Sequence, residues 1–529
     1  MRFFCVLMAL TSSALAQGVR YDLVIANGRL YDGTGNPWFV GDVAIVGDTI
    51  AALGKLPPHS AAQTIDARGL AVSPGFIDTH SHGRRGIFAV PTAENVTRQG
   101  VTTLIEGPDG GSPLPLKPFL DKLRATPIAV NFGTMVGHGT VRGAVMGSQN
   151  RKASEAELQK MREIVRQAML EGAFGLSTGL FYVPGNYAPT EEVIELEKVV
   201  SGFGGVHTSH VRNEAEGVLD SARETIRIGE EGGVPTQHTH VKVVGKQQWG
   251  GSEKVLALFD DARRRGVDAT LDQYPYTASS TGTAAMFPQW SMAGGAKALG
   301  ERLAAAGTRA KIKAQIVDVL RDGRGAGDAK NVVMAVCGFD AKLAGKSLAE
   351  LTLAAGRQPT LENAAETAIE IQLKGGCSAI YHAMDEADVE RFLRAPYTMI
   401  ASDGEVMAPG ASVPHPRSYG AFARVLGRYV RERRAITLEE AVRKMSSFPA
   451  SRFGLHDRGL LRPGMKADIA VFDAATAGDT ATFTKPHSYA VGFRHVLVNG
   501  KAVILDGKVT AARPGKVLYG PGWTGGAQH

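Results

Sequence analysis

The rhythm of hydrophobic and polar positions changes twice along the chain. From residue 21 to 72, apolar and polar residues alternate in short runs, as in YDLVIANGRLYDGTG and VGDVAIVGDTIAALG. A period of two marks strands with one buried face. The Asn-Gly and Asp-Gly pairs between the runs are hairpin turns. The same rhythm returns in GMKADIAVFD (464–473) and RHVLVNGKAVILDGKV (494–509). Either end alone would have a meagre core. Both are therefore expected to join in one small β-sandwich, residues 17–72 with 456–529, around the middle of the chain.

The middle, 73–455, reads differently. Apolar, β-rich runs alternate with helical stretches such as SEAELQKMREIVRQAMLEG (154–172) and VLDSARETIRIGEEGG (218–233). The strand candidates are 69–80, 101–106, 128–134, 173–179, 204–210, 234–240, 268–274 and 397–403. Eight βα units predict an α/β fold with a TIM-like (β/α)8 barrel. The spacing fails once, between the seventh and eighth strands. That stretch is read as an insertion at about 283–395 capping the barrel mouth. It contains helical segments and a strand-like NVVMAVCG.

Composition adds bounds. The 529 residues exceed one ordinary domain, and 44% hydrophobic with 21% charged residues is a globular balance. The net charge of +7 is dispersed. Its densest cluster, RYVRERRA (428–435), reads as a solvated helix face, and no aromatic platform or motif points to nucleic acid. The opening MRFFCVLMALTSSALAQG has a basic residue, a short apolar run and small residues at Ala14 and Ala16. This predicts a signal peptide, 1–16, and export to a bacterial periplasm. No other stretch is apolar and long enough for a membrane span. Cys337 and Cys377 would remain, a pair that export allows to bond but no disulfide framework. The sequence carries no signal for an oligomeric state.

Candidate chemistry gathers at the strand ends. PGFIDTHSHG (74–83) closes the first strand with His80 and His82, placed on one face by strand alternation. His210 ends the fifth strand, His240 the sixth and Asp403 the eighth. TIM-barrel enzymes work at this C-terminal rim. A single strand-end histidine is more often a hydrogen-bonded structural residue, and HxH alone is a weak motif. The ordered set of HxH, His, His and Asp from four strands is much harder to obtain by chance.

Several stretches together carry a family resemblance: SPGFIDTHSH, GHGTVRG (137–143), GLSTGLFYVPGNYA (175–188), HTSHVRNE (207–214), HVKVVGK (240–246), DQYPYTASST (272–281), TMIASDG (398–404) and PHPRSYGAFARVLGRYVRE (414–432). They resemble the amidohydrolase superfamily, and within it the N-acyl-D-amino-acid deacylases. The resemblance implies one or two zinc ions, one held tightly by His210 and His240 and a second, weaker position at His80 and His82. It implies Asp403 as a ligand and as general acid/base. One position departs from the family, whose turn after strand two carries Cys. This chain reads LIEGPDGGS (104–112), which puts Asp109 there; Glu106 at the strand end is the alternative bridging ligand. Asp109 reads equally as a turn residue in Pro-Asp-Gly.

The same resemblance assigns substrate contacts to Lys242, two residues after His240 and so on the same strand face, and to Tyr274, Ser280 and Arg417. Arg417 reads equally as the partner of a structural acid, and Tyr274, beside Pro275, as a packing residue. His138 and Arg142 are expected to shape the third-strand loop. The expected function is hydrolysis of a small-molecule amide, an N-acyl-D-amino acid first, with a D-aminoacyl dipeptide, a cyclic amide or a non-natural amide as the alternative. A non-catalytic binder on the same barrel ranks low, because it would have lost one of these groups.

Overall fold

The computed structural model describes residues 21–57 and 60–525. The expected signal peptide lies outside the described residues.

The alternating ends meet in one sheet. Its nine strands are Tyr21–Leu30, Phe39–Val46, Thr49–Gly54, Ala61–Asp66 and Ala71–Pro74 from the beginning, with Ile469–Phe472, Phe493–Val498, Lys501–Leu505 and Lys508–Val509 from the end. The two halves join where Ile469–Phe472 runs antiparallel to Ala71–Pro74, with Val471 opposite Val72. Ile25, Val43, Ile45, Val72, Ile469 and Leu497 close its core. One tail segment behaves otherwise. Residues 515–520 run along the barrel: Phe132 donates to the Lys516 carbonyl and Leu518 to that of Phe132. The end of the chain thus staples the barrel, which strand alternation alone did not foretell.

The barrel strands, numbered one to eight, are Phe76–Ser81, Val101–Glu106, Asn131–Thr134 (continued by Val136–Gly137), Gly175–Gly179, Val206–His210, Thr236–His238, Ala269–Gln273 and Thr398–Ile400. All ladders between them are parallel. Closure falls between strands eight and one: Asp403 N–H donates to the His80 carbonyl and His82 N–H to that of Gly404. Buried Asp78 pins the same seam by accepting from the backbone and hydroxyl of Ser402. Outer helices follow the expected pattern; Glu155–Glu171 begins with a capping box of Ser154 and Glu157.

Strands six and eight stop earlier than the alternation predicts. The chain turns at His240 (φ 36°) and Asp403 (φ 50°), both in the left-handed region. Between strands seven and eight lies a unit with its own core. It is a three-stranded sheet, Ser279–Gly282, Cys377–Tyr381 and Val332–Cys337, packed with helices including Ala306–Asp322 and Leu361–Leu373. Cys337 and Cys377 face each other across this sheet and are disulfide-bonded.

Candidate active site

Asp109 is the hinge of the site. It sits in the turn after strand two with φ 57°. Gly179 lies so close that an added Cβ would fall 2.1 Å from the Asp109 carbonyl. Two ligand groups share the Asp109 carboxylate: His80, His82 and Asp403 on one side, His210 and His240 on the other. Its Oδ1 lies 3.3 Å from His210 Nδ1 and 3.3 Å from His240 Nε2. Its Oδ2 lies 3.4 Å from His82 Nε2. Oδ2 turns to the first group, whereas Oδ1 serves both, since it also lies 3.5 Å from His80 Nε2. Asp403 Oδ1 lies 3.0 Å from His82 Nε2 and 3.4 Å from His80 Nε2.

Outer contacts set the imidazole tautomers. Thr239 Oγ1 lies 2.5 Å from His80 Nδ1 and donates to Asp272 Oδ2 at 2.6 Å. A hydroxyl whose proton is committed to a carboxylate accepts from the ring, so His80 carries its proton on Nδ1. That leaves Nε2 facing Asp109 and Asp403, buried and without a hydrogen-bond partner among the described residues. Asp272 also accepts from the His240 backbone at 2.6 Å. Sequence reading missed Thr239 and Asp272. The available signal was a carboxylate within strand seven, close to its C-terminal end.

The electrostatics fit a cation. Burial resists a charged His80, yet Asp109 and Asp403 hold its pKa well above the ordinary histidine value. Two carboxylates converging on ring nitrogens need a positive charge between them, either a ring proton or a metal. Burial, then Lys242 and His210, depresses His240 to about 3, which keeps it neutral, the form that ligates metals. Burial opposes a charged Asp403, but Arg417 and His80 hold its carboxyl well below the usual range. Imidazole and carboxylate donors, with no thiolate in either group, suit zinc and harder divalent ions.

Two expectations need correction. Glu106 does not join the ligand groups: it is fully buried, accepts from the Arg84 backbone at 3.0 Å and lies 3.2 Å from Arg84 Nε. Its carboxylate meets that arginine and lies in neither group, so Asp109 alone is common to both. Lys242 does not share a strand face with His240, because strand six ends at His238. The loop instead brings Lys242 Nζ 2.6 Å from His240 Nδ1 and 2.5 Å from Glu214 Oε1.

Above the carboxylates opens a cavity of about 730 Å³, lined among others by Lys242, Tyr274, Ser280, Arg324, Asp403 and Arg417. Tyr274 Oη is buried with no hydrogen-bond partner among the described residues, and the Arg417 guanidinium lies 4.8 Å above its ring. Arg417 donates to Asp403 Oδ2 at 2.6 Å and to the Ser280 carbonyl at 3.3 Å. The acid it meets is the strand-eight aspartate itself. Arg324 reaches in from the unit between strands seven and eight and donates to Glu214 Oε2 at 2.9 Å. His138 and Arg142 instead hold the buried Glu192, outside the cavity wall.

Residues 63–504 match the model of the amidohydrolase family. A D-aminoacylase of Alcaligenes xylosoxydans xylosoxydans is 37% identical over 521 residues, 94% of this chain and 97% of that protein. The crystal structure of the N-acyl-D-glutamate deacylase of Bordetella bronchiseptica, with zinc and a phosphonate mimic of the tetrahedral intermediate, superposes with a TM-score of 0.81. It is 34% identical and covers 94% of this chain and all of that one. A D-aminoacylase structure with a binuclear metal centre superposes equally well, TM-score 0.81 at 36% identity and the same coverage. The barrel, the β-sandwich and the ligand groups at the strand ends agree with that kinship: the chain belongs to the amidohydrolase family.

Proposed function

We propose that this protein is a zinc-dependent N-acyl-D-amino-acid deacylase, with Asp403 as the general acid/base. The observation that carries the reading is the shared Asp109 carboxylate with Asp403 at its side, opening on a cavity that holds basic groups for a substrate carboxylate. His210, His240 and Asp109 would hold one ion, and His80, His82, Asp109 and Asp403 a second. When bound, zinc supplies Lewis-acid polarisation of the amide carbonyl and lowers the pKa of water to about 7.

The chain's own residues do the rest. Lys242, Tyr274, Ser280 and Arg417 line the place of the amino-acid half and orient its carboxylate. Asp403, held ionised by Arg417, takes the proton of the attacking water and returns it to the leaving nitrogen. An amine leaves poorly without that proton. Export to an oxidising compartment belongs to the same proposal, supported by the buried Cys337–Cys377 disulfide.

Zinc-loaded protein given matched N-acetyl-D- and N-acetyl-L-amino acids is expected to release free amine from the D series. Asp403→Asn is expected to lose about 10²–10⁴-fold in kcat while keeping its fold. An Asp403→Asn enzyme at full rate would remove the assigned role, and release from the L series alone would overturn the D reading.

A further inference from the structure

The cations lining the cavity do not all have the same commitments. Lys242 and Arg324 share Glu214, at 2.5 and 2.9 Å. Arg417 is bound to Asp403 at 2.6 Å and Arg85 to Glu405 at 2.5 Å. Arg84 differs. Its backbone N–H and Nε are both turned to the buried Glu106. Its two terminal guanidinium nitrogens make no hydrogen bond among the described residues, and the side chain lines the cavity together with Asp109 and Gly111. Glu106 thus holds Arg84 through its backbone N–H and a charge contact 3.2 Å from Nε, and the terminal nitrogens are left for the cavity. A guanidinium fixed on one side offers two parallel N–H donors on the other, a geometry matched by a carboxylate.

Arg84 also stands apart from the carboxylate-binding group assigned above. It follows strand one, whereas Lys242 follows strand six and Arg417 follows strand eight. We infer that Arg84, presented by Glu106, reads a second carboxylate on the substrate, so that the preferred substrate class is a dicarboxylate N-acyl-amino acid. This rests on the deacylase reading. The second carboxylate has two sources, an acyl group ending in a carboxylate or an acidic amino-acid side chain.

The test uses the intact metal-loaded enzyme and two isosteric pairs: N-succinyl-D-leucine against its ω-amide, and N-acetyl-D-glutamate against N-acetyl-D-glutamine. In at least one pair the charged member is expected to have a kcat/KM about tenfold higher. Arg84→Met is expected to bring that ratio to near one, and Glu106→Gln to lower it. The pair that responds identifies the source. Calorimetric binding of succinate against succinamate needs no turnover, and the same ratio and the same loss in Arg84→Met are expected. Turnover without charge preference, or a preference that survives Arg84→Met, overturns the inference. Absence of turnover on every D substrate, with charge-selective binding retained, overturns the deacylase reading and leaves the Arg84 site standing.

Discussion

His80 shows how a single side chain becomes a ligand. Its Nδ1 is tied to Thr239 and through it to Asp272, which leaves Nε2 for the site. Outer hydrogen bonds of this kind typically contribute 10–100-fold to metal affinity. Thr239→Val is expected to weaken metal binding by about that factor in a chelator competition, with Thr239→Ser restoring it. Unchanged affinity in the valine variant would reduce Thr239 to packing. A different residue sets a pH dependence. Glu197 is fully buried with neither carboxylate oxygen hydrogen-bonded among the described residues, and burial pushes its pKa well above 4.5. In the folded state it binds a proton that the unfolded chain has released above that pH. Stability therefore falls as pH rises past 4.5. Glu197→Gln is expected to raise the melting temperature at pH 8, with the gain fading toward pH 4.5. An equal gain at both pH values would exclude the ionisation cause.

At the scale of elements, the strand ends place the ligands, and glycine lets the strands crowd around Asp109. A methyl group at Gly179 would meet the Asp109 carbonyl at 2.1 Å. Since ligand misplacement near 1 Å costs on the order of 10²-fold in rate, Gly179→Ala is expected to lose that much in kcat/KM and to lose bound metal. Gly300, on the helix Gly295–Ala304, meets nothing within 4 Å. Gly300→Ala is the control, expected to be neutral in rate and to stabilise by about 0.5–1 kcal/mol. The turns at His240 and Asp403 show why strand alternation mislocated Lys242. Once the backbone leaves the extended region, two residues onward is no longer the same face.

At the scale of the whole molecule, the ligand groups join strands one, five, six and eight with the turn after strand two. An ion held there would tie these elements together and so bind the folded chain in preference to the unfolded one. Chelation is expected to lower the melting temperature and added zinc to restore it, by about 2.7 kcal/mol when free zinc stands a hundredfold above its dissociation constant. A melting temperature indifferent to metal would mean that the groups do not act as a clamp.

The sequence by itself determined the elements and much of the ligand set. Alternation, hairpin turns and helix caps act between near neighbours, so Tyr21–Leu30, the helix Glu155–Glu171 and the pairing-competent tail strands are legible locally. His80, His82, His210, His240 and Asp403 are legible because barrel strands end on one rim, and Asp109 through its place in a familiar turn. Other features depend on residues far apart in sequence but adjacent in space. Glu106 looks like a ligand along the chain, and only folding sets Arg84 against it. Arg417 looks like a substrate group alone, and only folding shows that it also holds Asp403. Thr239 and Asp272 become a relay only when strands one, six and seven share a rim, and 515–520 are held along the barrel by backbone hydrogen bonds with Phe132. Local periodicity carries the direction of a backbone; it carries nothing about which buried charge meets which, because that is settled by the through-space partner each polar group must find once water is excluded.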